Sequence, residues 1–204
     1  MNAGRPLGFD PDEMLATCLD VFWTRGYEAT SVEDLVQATG LSRSSLYQTF
    51  GNKQQLFERC IDIYCERLAL SFGEVLSGAP NGLEYIRRVL LEAALEARND
   101  GPRKGCLLMN TATECAQHDP VIAAAVARGT ETVLTVMTAA ARRGQSDGSL
   151  RADASPRVLG RYFMTVAAGL RTLIKGGAGP REVHNLVDVA LKSFAGPDAS
   201  IPRT

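Results

Sequence analysis

Three features of the chain predict an all-α fold of about nine helices. Apolar residues recur at three- and four-residue spacing over long stretches. Asp, Asn, Ser, Thr and Pro stand where helices would begin, with Gly where they would stop. No segment alternates apolar and polar residues as a half-buried strand does. The 204 residues can bury a sizeable core in one large or two small domains, and the 45% hydrophobic and 22% charged residues fit a globular chain.

The first helix is expected from Asp10 or Pro11. Asp10 can cap, Pro11 suits the first helical position, and Asp12 and Glu13 complement the helix N-terminus. Met14, Leu15, Cys18, Leu19 and Phe22 form its apolar face, and Gly26 stops it. Thr30 or Ser31 caps the second helix, since Thr30 with Glu33 and Ser31 with Asp34 both fit a capping box; Val32, Leu35 and Val36 point inward. Gly40 permits a tight turn, Leu41 plugs the core, and Ser42 caps a third helix anchored by Leu46 and Phe50 and ended by Gly51-Asn52. A long fourth helix, 54–77, carries Leu56, Phe57, Cys60, Ile61, Tyr64 and Leu68 on one side.

Beyond a Gly- and Pro-containing break at 77–82 the pattern stays helical. Leu83, Ile86, Leu90 and Ala94 mark a fifth helix ending before Asn99-Asp100-Gly101-Pro102, and a sixth covers roughly 105–117. Asp119-Pro120 opens a seventh that runs to about Arg143, followed by a loop at 144–148. Ser155-Pro156 starts an eighth, with Val158, Leu159, Tyr162, Phe163, Val166 and Leu170 as a broad apolar stripe. Gly176-Gly177 breaks it, and Pro180 begins a ninth with Val183, Leu186, Val187, Ala190, Leu191 and Phe194.

The second and third helices with the turn at Gly40 have the layout of a helix-turn-helix, whose second helix enters the DNA major groove. The expected organisation is a three-helix DNA-binding domain at 1–53, a linking helix at 54–77, and a helical effector-binding and dimerisation domain at 78–204. The helical repeat places the reading face. If Leu46 and Phe50 point inward, Gln48 points nearly opposite, with Ser44 and Ser45 beside it and Tyr47 and Thr49 on the flanks. Gln bonds adenine bidentately and Ser tolerates donors or acceptors; Arg43 reaches a guanine or a phosphate. Ser42 completes this polar face at the helix start.

Charge argues the other way. Residues 1–53 hold four basic groups (Arg5, Arg25, Arg43, Lys53) against seven acidic ones, a balance of −3, and the whole chain carries −1. Phosphate attraction must come from a few placed groups and from two copies acting together. This acidity is what favours a competing reading, a helical small-molecule-binding protein or enzyme with a vestigial DNA-binding domain. No nucleophile elbow, phosphate loop or paired catalytic acid and base supports catalysis, so no enzyme is expected. Five cysteines without a Cys-x-x-Cys pair and only two histidines fit a reducing compartment, with no structural metal and no cofactor. Glu114 and His118 lie four apart, a pair lacking a third ligand. No run of about 18 apolar residues spans a membrane, and the N-terminus lacks a signal-peptide core, so a cytoplasmic location is expected.

Residues 10–66 resemble the N-terminal domain of the TetR family of transcriptional regulators. The resemblance rests on Phe22-Trp23-Thr24-Arg25-Gly26-Tyr27, Thr30-Ser31-Val32, Gly40-Leu41-Ser42 and Leu46-Tyr47-Gln48-Thr49-Phe50-Gly51-Asn52-Lys53. It implies a homodimer, a palindromic double-stranded DNA operator, and control by a small molecule, of unknown identity, in the C-terminal domain. It also implies that Tyr47 and Lys53 hold phosphates, as Thr30 or Ser31 would with the amides at the second helix N-terminus.

Cys106 follows Arg103-Lys104-Gly105 and is expected in the first turn of the sixth helix, where cations and a helix N-terminus favour a thiolate. Gly105-Cys106-Leu107-Leu108 resembles a TetR branch that includes sensors of oxidants and electrophiles. Met109, Thr113, Met137, Phe163 and Met164 are the candidate lining of an effector pocket, since Met and aromatic groups suit adaptable apolar cavities; core packing explains them equally. The last two helices carry more apolar surface than their own domain needs, which predicts an isologous two-fold interface between them and their copies.

Overall fold

The structure, a computed structural model, describes residues 8–97, 101–197 and 199. Among these lie nine α-helices: α1 (Pro11–Arg25), α2 (Val32–Thr39), α3 (Arg43–Phe50), α4 (Lys53–Gly78), α5 (Gly82–Glu96), α6 (Leu107–Glu114), α7 (Pro120–Ser146), α8 (Pro156–Lys175) and α9 (Pro180–Phe194). The predicted turn at Asn99-Asp100 lies outside the described residues.

Local chemistry sets the first three helices. The Asp12 amide donates to the Asp10 carboxylate at 2.9 Å with Pro11 at the first helical position. Ser31, not Thr30, caps α2: its hydroxyl accepts from the Asp34 amide, and the Asp34 carboxylate accepts from the Ser31 amide at 2.8 Å. Gly40 turns the chain at φ 69°, left-handed backbone that a side chain would strain. Ser42 accepts from the Ser45 amide and caps α3.

These helices close over one aromatic cluster. Phe22 packs on Phe57 of α4 with ring centroids 4.8 Å apart, and Tyr27 stacks on the same ring at 4.7 Å. Leu35, Leu46 and Phe50 complete this core. The N-terminal half of α4 therefore packs with the first three helices, and α4 also runs against α7.

In the C-terminal half α7 is central, flanked by α4 and α8, with α5 against α8 and α9. It is long and apolar enough to cross a bilayer, yet it serves here as the core helix of a bundle. Its end differs from expectation. The segment predicted as a loop at 144–148 is helical through Ser146, because Gly144 lies under Leu150 and against Gly82 where its missing side chain is what allows contact. An isolated antiparallel bridge, Leu150 to Ala195, ties the end of α9 to the segment after α7.

Helix α6 is shorter than the predicted 105–117. It starts at Leu107 and ends at Glu114, so Glu114 and His118 do not share a helix face. No cluster of three metal-ligating side chains occurs among the described residues.

Candidate nucleic-acid interface and the α6 joint

Helix α3 turns Leu46 and Phe50 into the core and leaves Arg43, Ser44, Tyr47 and Gln48 exposed, as the helical phase predicts. Ser45 and Thr49 are half-buried. The Ser42 and Ser45 hydroxyls lie 2.9 Å from each other, and the Thr49 carbonyl accepts from Arg59 at 3.2 Å. Ser31 is exposed at the α2 N-terminus. Thr30 corrects the expectation: it is fully buried and its hydroxyl donates to the Gly26 carbonyl at 2.6 Å, so it presents nothing to a phosphate.

The acidity of this region has a specific arrangement. Arg25 pairs with Asp34, and Arg43 pairs with Glu33, so two acids of α2 hold two of the cations. The Ser31 hydroxyl and amide, together with Arg25, hold the Asp34 carboxyl down at about 2. Lys53 is the first residue of α4, and its ammonium sits 4.4 Å from the Tyr27 ring centroid. A cation at a helix N-terminus opposes the helix dipole. The ring face offsets part of that mismatch, and an anion seated there would remove it.

Sequence reasoning missed the joint between the halves. The Glu114 carboxylate, at the end of α6, accepts the backbone N–H of Tyr27 at 3.2 Å and of Glu28 at 2.9 Å. Trp23 donates its indole N–H to the Gly105 carbonyl at 3.1 Å, Lys104 pairs with Asp20, and Gln54 donates to the Asp119 carboxylate at 2.7 Å. A polar cavity of about 290 Å³ lies in this joint, between the end of α1 and α6. No local motif marks Glu114, because its partners lie 86 and 87 positions away.

Cys106 is the residue capping α6, one position before the expected first turn, and its thiol is buried. It receives a long hydrogen bond from the Tyr64 hydroxyl at 3.8 Å. The cations expected beside it turn elsewhere: Lys104 to Asp20, and Arg103 to the Ile174 and Ala97 carbonyls. The other four cysteines are buried too. Burial pushes Cys18 and Cys115 up to about 11 and Cys65 to about 12, and raises Cys60 well above the thiol range.

Of the five candidate pocket residues, three come together. Met109 and Thr113 of α6, with Met164 of α8, line an apolar groove of about 590 Å³ closed on a third side by Thr130 of α7. Met137 and Phe163 do not belong to it. Helical phase turns both toward α5, where the Tyr85 hydroxyl reaches the Met137 sulfur at 3.5 Å and Phe163 packs on Tyr85 and also on Phe194 of α9. Beside the groove the stripe on α8 splits: Leu159, Phe163 and Leu170 are buried, whereas Val158, Tyr162 and Leu173 stay exposed with Leu186 and Val189 of α9.

Comparison with known proteins agrees with this geometry. Residues 15–60 match the family of bacterial regulatory proteins described as the tetR family, and residues 82–187 match the tetracyclin repressor-like C-terminal domain. The chain is 30% identical over 189 residues to an uncharacterised HTH-type transcriptional regulator, YezE, of Bacillus subtilis, covering 92% of this chain and 97% of that one. It is 47% identical over 68 residues to the HTH-type transcriptional repressor ComR of Escherichia coli, a match covering 33% of this chain and 32% of ComR. A cysteine mutant of the TetR family transcriptional regulator CifR, solved with 26 bp double-strand operator DNA, is similar with TM-score 0.80 and 30% identity. That likeness covers 93% of this chain and 99% of CifR.

Proposed function

The chain belongs to the TetR family of DNA-binding transcriptional regulators, and on that premise we propose that it is a repressor which binds a palindromic operator as a homodimer and lets go when an effector occupies the α6–α8 groove. Residues 1–53 are the DNA-binding domain in this reading, 54–77 the lever, and 78–204 the effector-binding and dimerisation domain. Ser44, Gln48 and Arg43 face base edges, with Ser45 and Thr49 beside them. Tyr47, Lys53 and Ser31, helped by Ser42, hold the phosphates.

One observation carries the proposal. Helix α6 offers Met109 and Thr113 to the groove and, at the very next residue, holds the turn after α1 through Glu114. A ligand that favours a shifted α6 thereby disfavours the DNA-bound arrangement, and the shift can be no larger than its difference in affinity for the two states. The exposed apolar residues of α8 and α9 support a two-fold four-helix interface, which would set two reading heads about one DNA turn apart, roughly 34–36 Å, or somewhat more. Leu173 belongs to both this face and the groove rim, so ligand and dimer geometry are neighbours.

Cys106 is the second trigger. Its position at the same joint, bonded by Tyr64, favours it as a redox point: oxidation or alkylation there would push on α6. Loss of operator affinity on oxidation, abolished by Cys106→Ser, is the expected signature.

The test is fluorescence anisotropy with duplex from upstream of the protein's own gene, over a range of salt, against random competitor. A saturable preference with two protomers per site is expected. Equal binding to every duplex, even at low ionic strength, overturns the regulator reading of these residues.

A further inference from the structure

We infer that the effector of the α6–α8 groove is an amphiphilic anion, an apolar chain ending in a carboxylate, whose charged end is gripped by Arg161. This rests on the groove being the effector site.

The walls supply the first half of the inference. Met109, Met164 and Leu173 are apolar, and Met side chains adapt to a flexible chain. The threonines that line the groove add little polarity. Thr113 donates its hydroxyl to the Met109 carbonyl, Thr165 to that of Arg161 and Thr172 to that of Ala168, each at 2.9 Å. Their protons are spent within their own helices, and they offer methyl groups to a ligand.

The second half comes from what is left over. Arg161 is the one charged residue among those lining the groove, and its guanidinium makes no ion pair or hydrogen bond with any described residue. The acid whose charge it feels, Glu131, already accepts two bonds from Arg157, at 2.7 and 2.8 Å. The Thr130 hydroxyl likewise has no partner among the described residues. The one lining group whose polarity is fixed by charge is the Arg161 guanidinium, a donor whose planar fork matches a carboxylate, while the threonine oxygens keep lone pairs but carry no charge to hold a cation. Arg161 and Leu173 are twelve positions apart on one helix, about 18 Å along its axis, which gives an extended chain room to lie along the groove.

A neutral chain gains the same burial but leaves the guanidinium unused, and an amine meets like charge. Calorimetry and thermal melting of the full-length protein with decanoate, decanol, decylamine and acetate separate these. Decanoate is expected to bind and raise the melting temperature, with decanol weaker and decylamine and acetate silent. Arg161→Gln should weaken decanoate by about tenfold while leaving decanol unchanged. Thr130→Trp fills the groove from its α7 wall, off the exposed α8–α9 face, and should abolish both ligands while the circular dichroism and the dimer stay as in the wild type. Decanol binding as tightly as decanoate, no decanoate binding, or an Arg161→Gln effect on dimer dissociation alone would each overturn the proposal. Decanoate binding that survives Thr130→Trp would instead overturn the groove as the site.

Discussion

The Glu114 carboxylate accepts the backbone N–H of Glu28 at 2.9 Å, linking the last residue of α6 to the turn that follows α1. The same carboxylate takes the Tyr27 amide, and it packs so closely on Gly26 that an added methyl would lie 2.7 Å from one oxygen. Two turn amides that have no other partner among the described residues are thus satisfied by a residue of the opposite half. Glu114→Ala should cost about 1 kcal/mol, less than a buried charged bond because the side chain is exposed. It should also blunt the loss of operator affinity on effector binding. A variant that melts and responds as the wild type does would show that α6 is not held here.

In the proposed reading Gln48 contacts a base and Lys53 a phosphate, and their variants separate the two roles. Gln48 is exposed opposite Leu46 and Phe50, and its side chain makes no hydrogen bond with any described residue. Gln48→Ala should relax preference at one position per half-site, at about 1–3 kcal/mol for the cognate base. Lys53→Ala should weaken all sequences alike and flatten the salt dependence. Selection from a randomised operator library, with titrations at several salt concentrations, reads both. Unchanged profiles in both variants contradict the assignment.

Arg43 is tethered by Glu33 before any DNA arrives. The pair is exposed, with side-chain accessibilities of 56% and 72%, so it contributes at most about 1 kcal/mol to folding. Its consequence for binding is larger, since Arg43 must leave or share Glu33 to reach a base or phosphate. Glu33→Gln should leave the melting temperature nearly unchanged and raise operator affinity several-fold at low salt, an effect that shrinks as salt screens the charges. If affinity falls instead, Glu33 positions Arg43 rather than restraining it.

What the sequence disclosed follows the range of the interactions involved. Asp10-Pro11, the Ser31–Asp34 box, Gly40 and Ser42 are local signals, and the helices they start or stop stand where they were expected. The choice between Thr30 and Ser31 was local but not decided by the capping-box pattern, which both residues fit: it turns on the Gly26 carbonyl four positions back, which draws the Thr30 hydroxyl inward. The early end of α6, the helical turn through Gly144 and the burial of Met137 and Phe163 depend on neighbours distant in the chain. Periodicity marks an apolar stripe on α7 and α8, but not which part faces the core and which the groove. The excess apolar surface of α8 and α9 was legible, and part of it does lie exposed, whereas Arg161 and Glu114 carried no motif at all.

The Asp34 carboxyl gives a pH signature for the DNA-binding domain. The Ser31 hydroxyl and amide, with Arg25, lower its pKa from the ordinary 3.8 to about 2. A group whose folded pKa is depressed contributes stability that is complete above the unfolded value and is lost as pH falls through the folded one. The capping box should therefore act at full strength at neutral pH and down to about 4, and fade between there and about 2. Asp34→Asn removes the charge at every pH, so its deficit relative to wild type should be constant near neutrality and should shrink across that acid window. Thermal melts of both proteins over this range check it. A deficit that persists unchanged at the acid end would mean that the Asp34 side chain supports α2 by shape and neutral hydrogen bonding, not as a carboxylate.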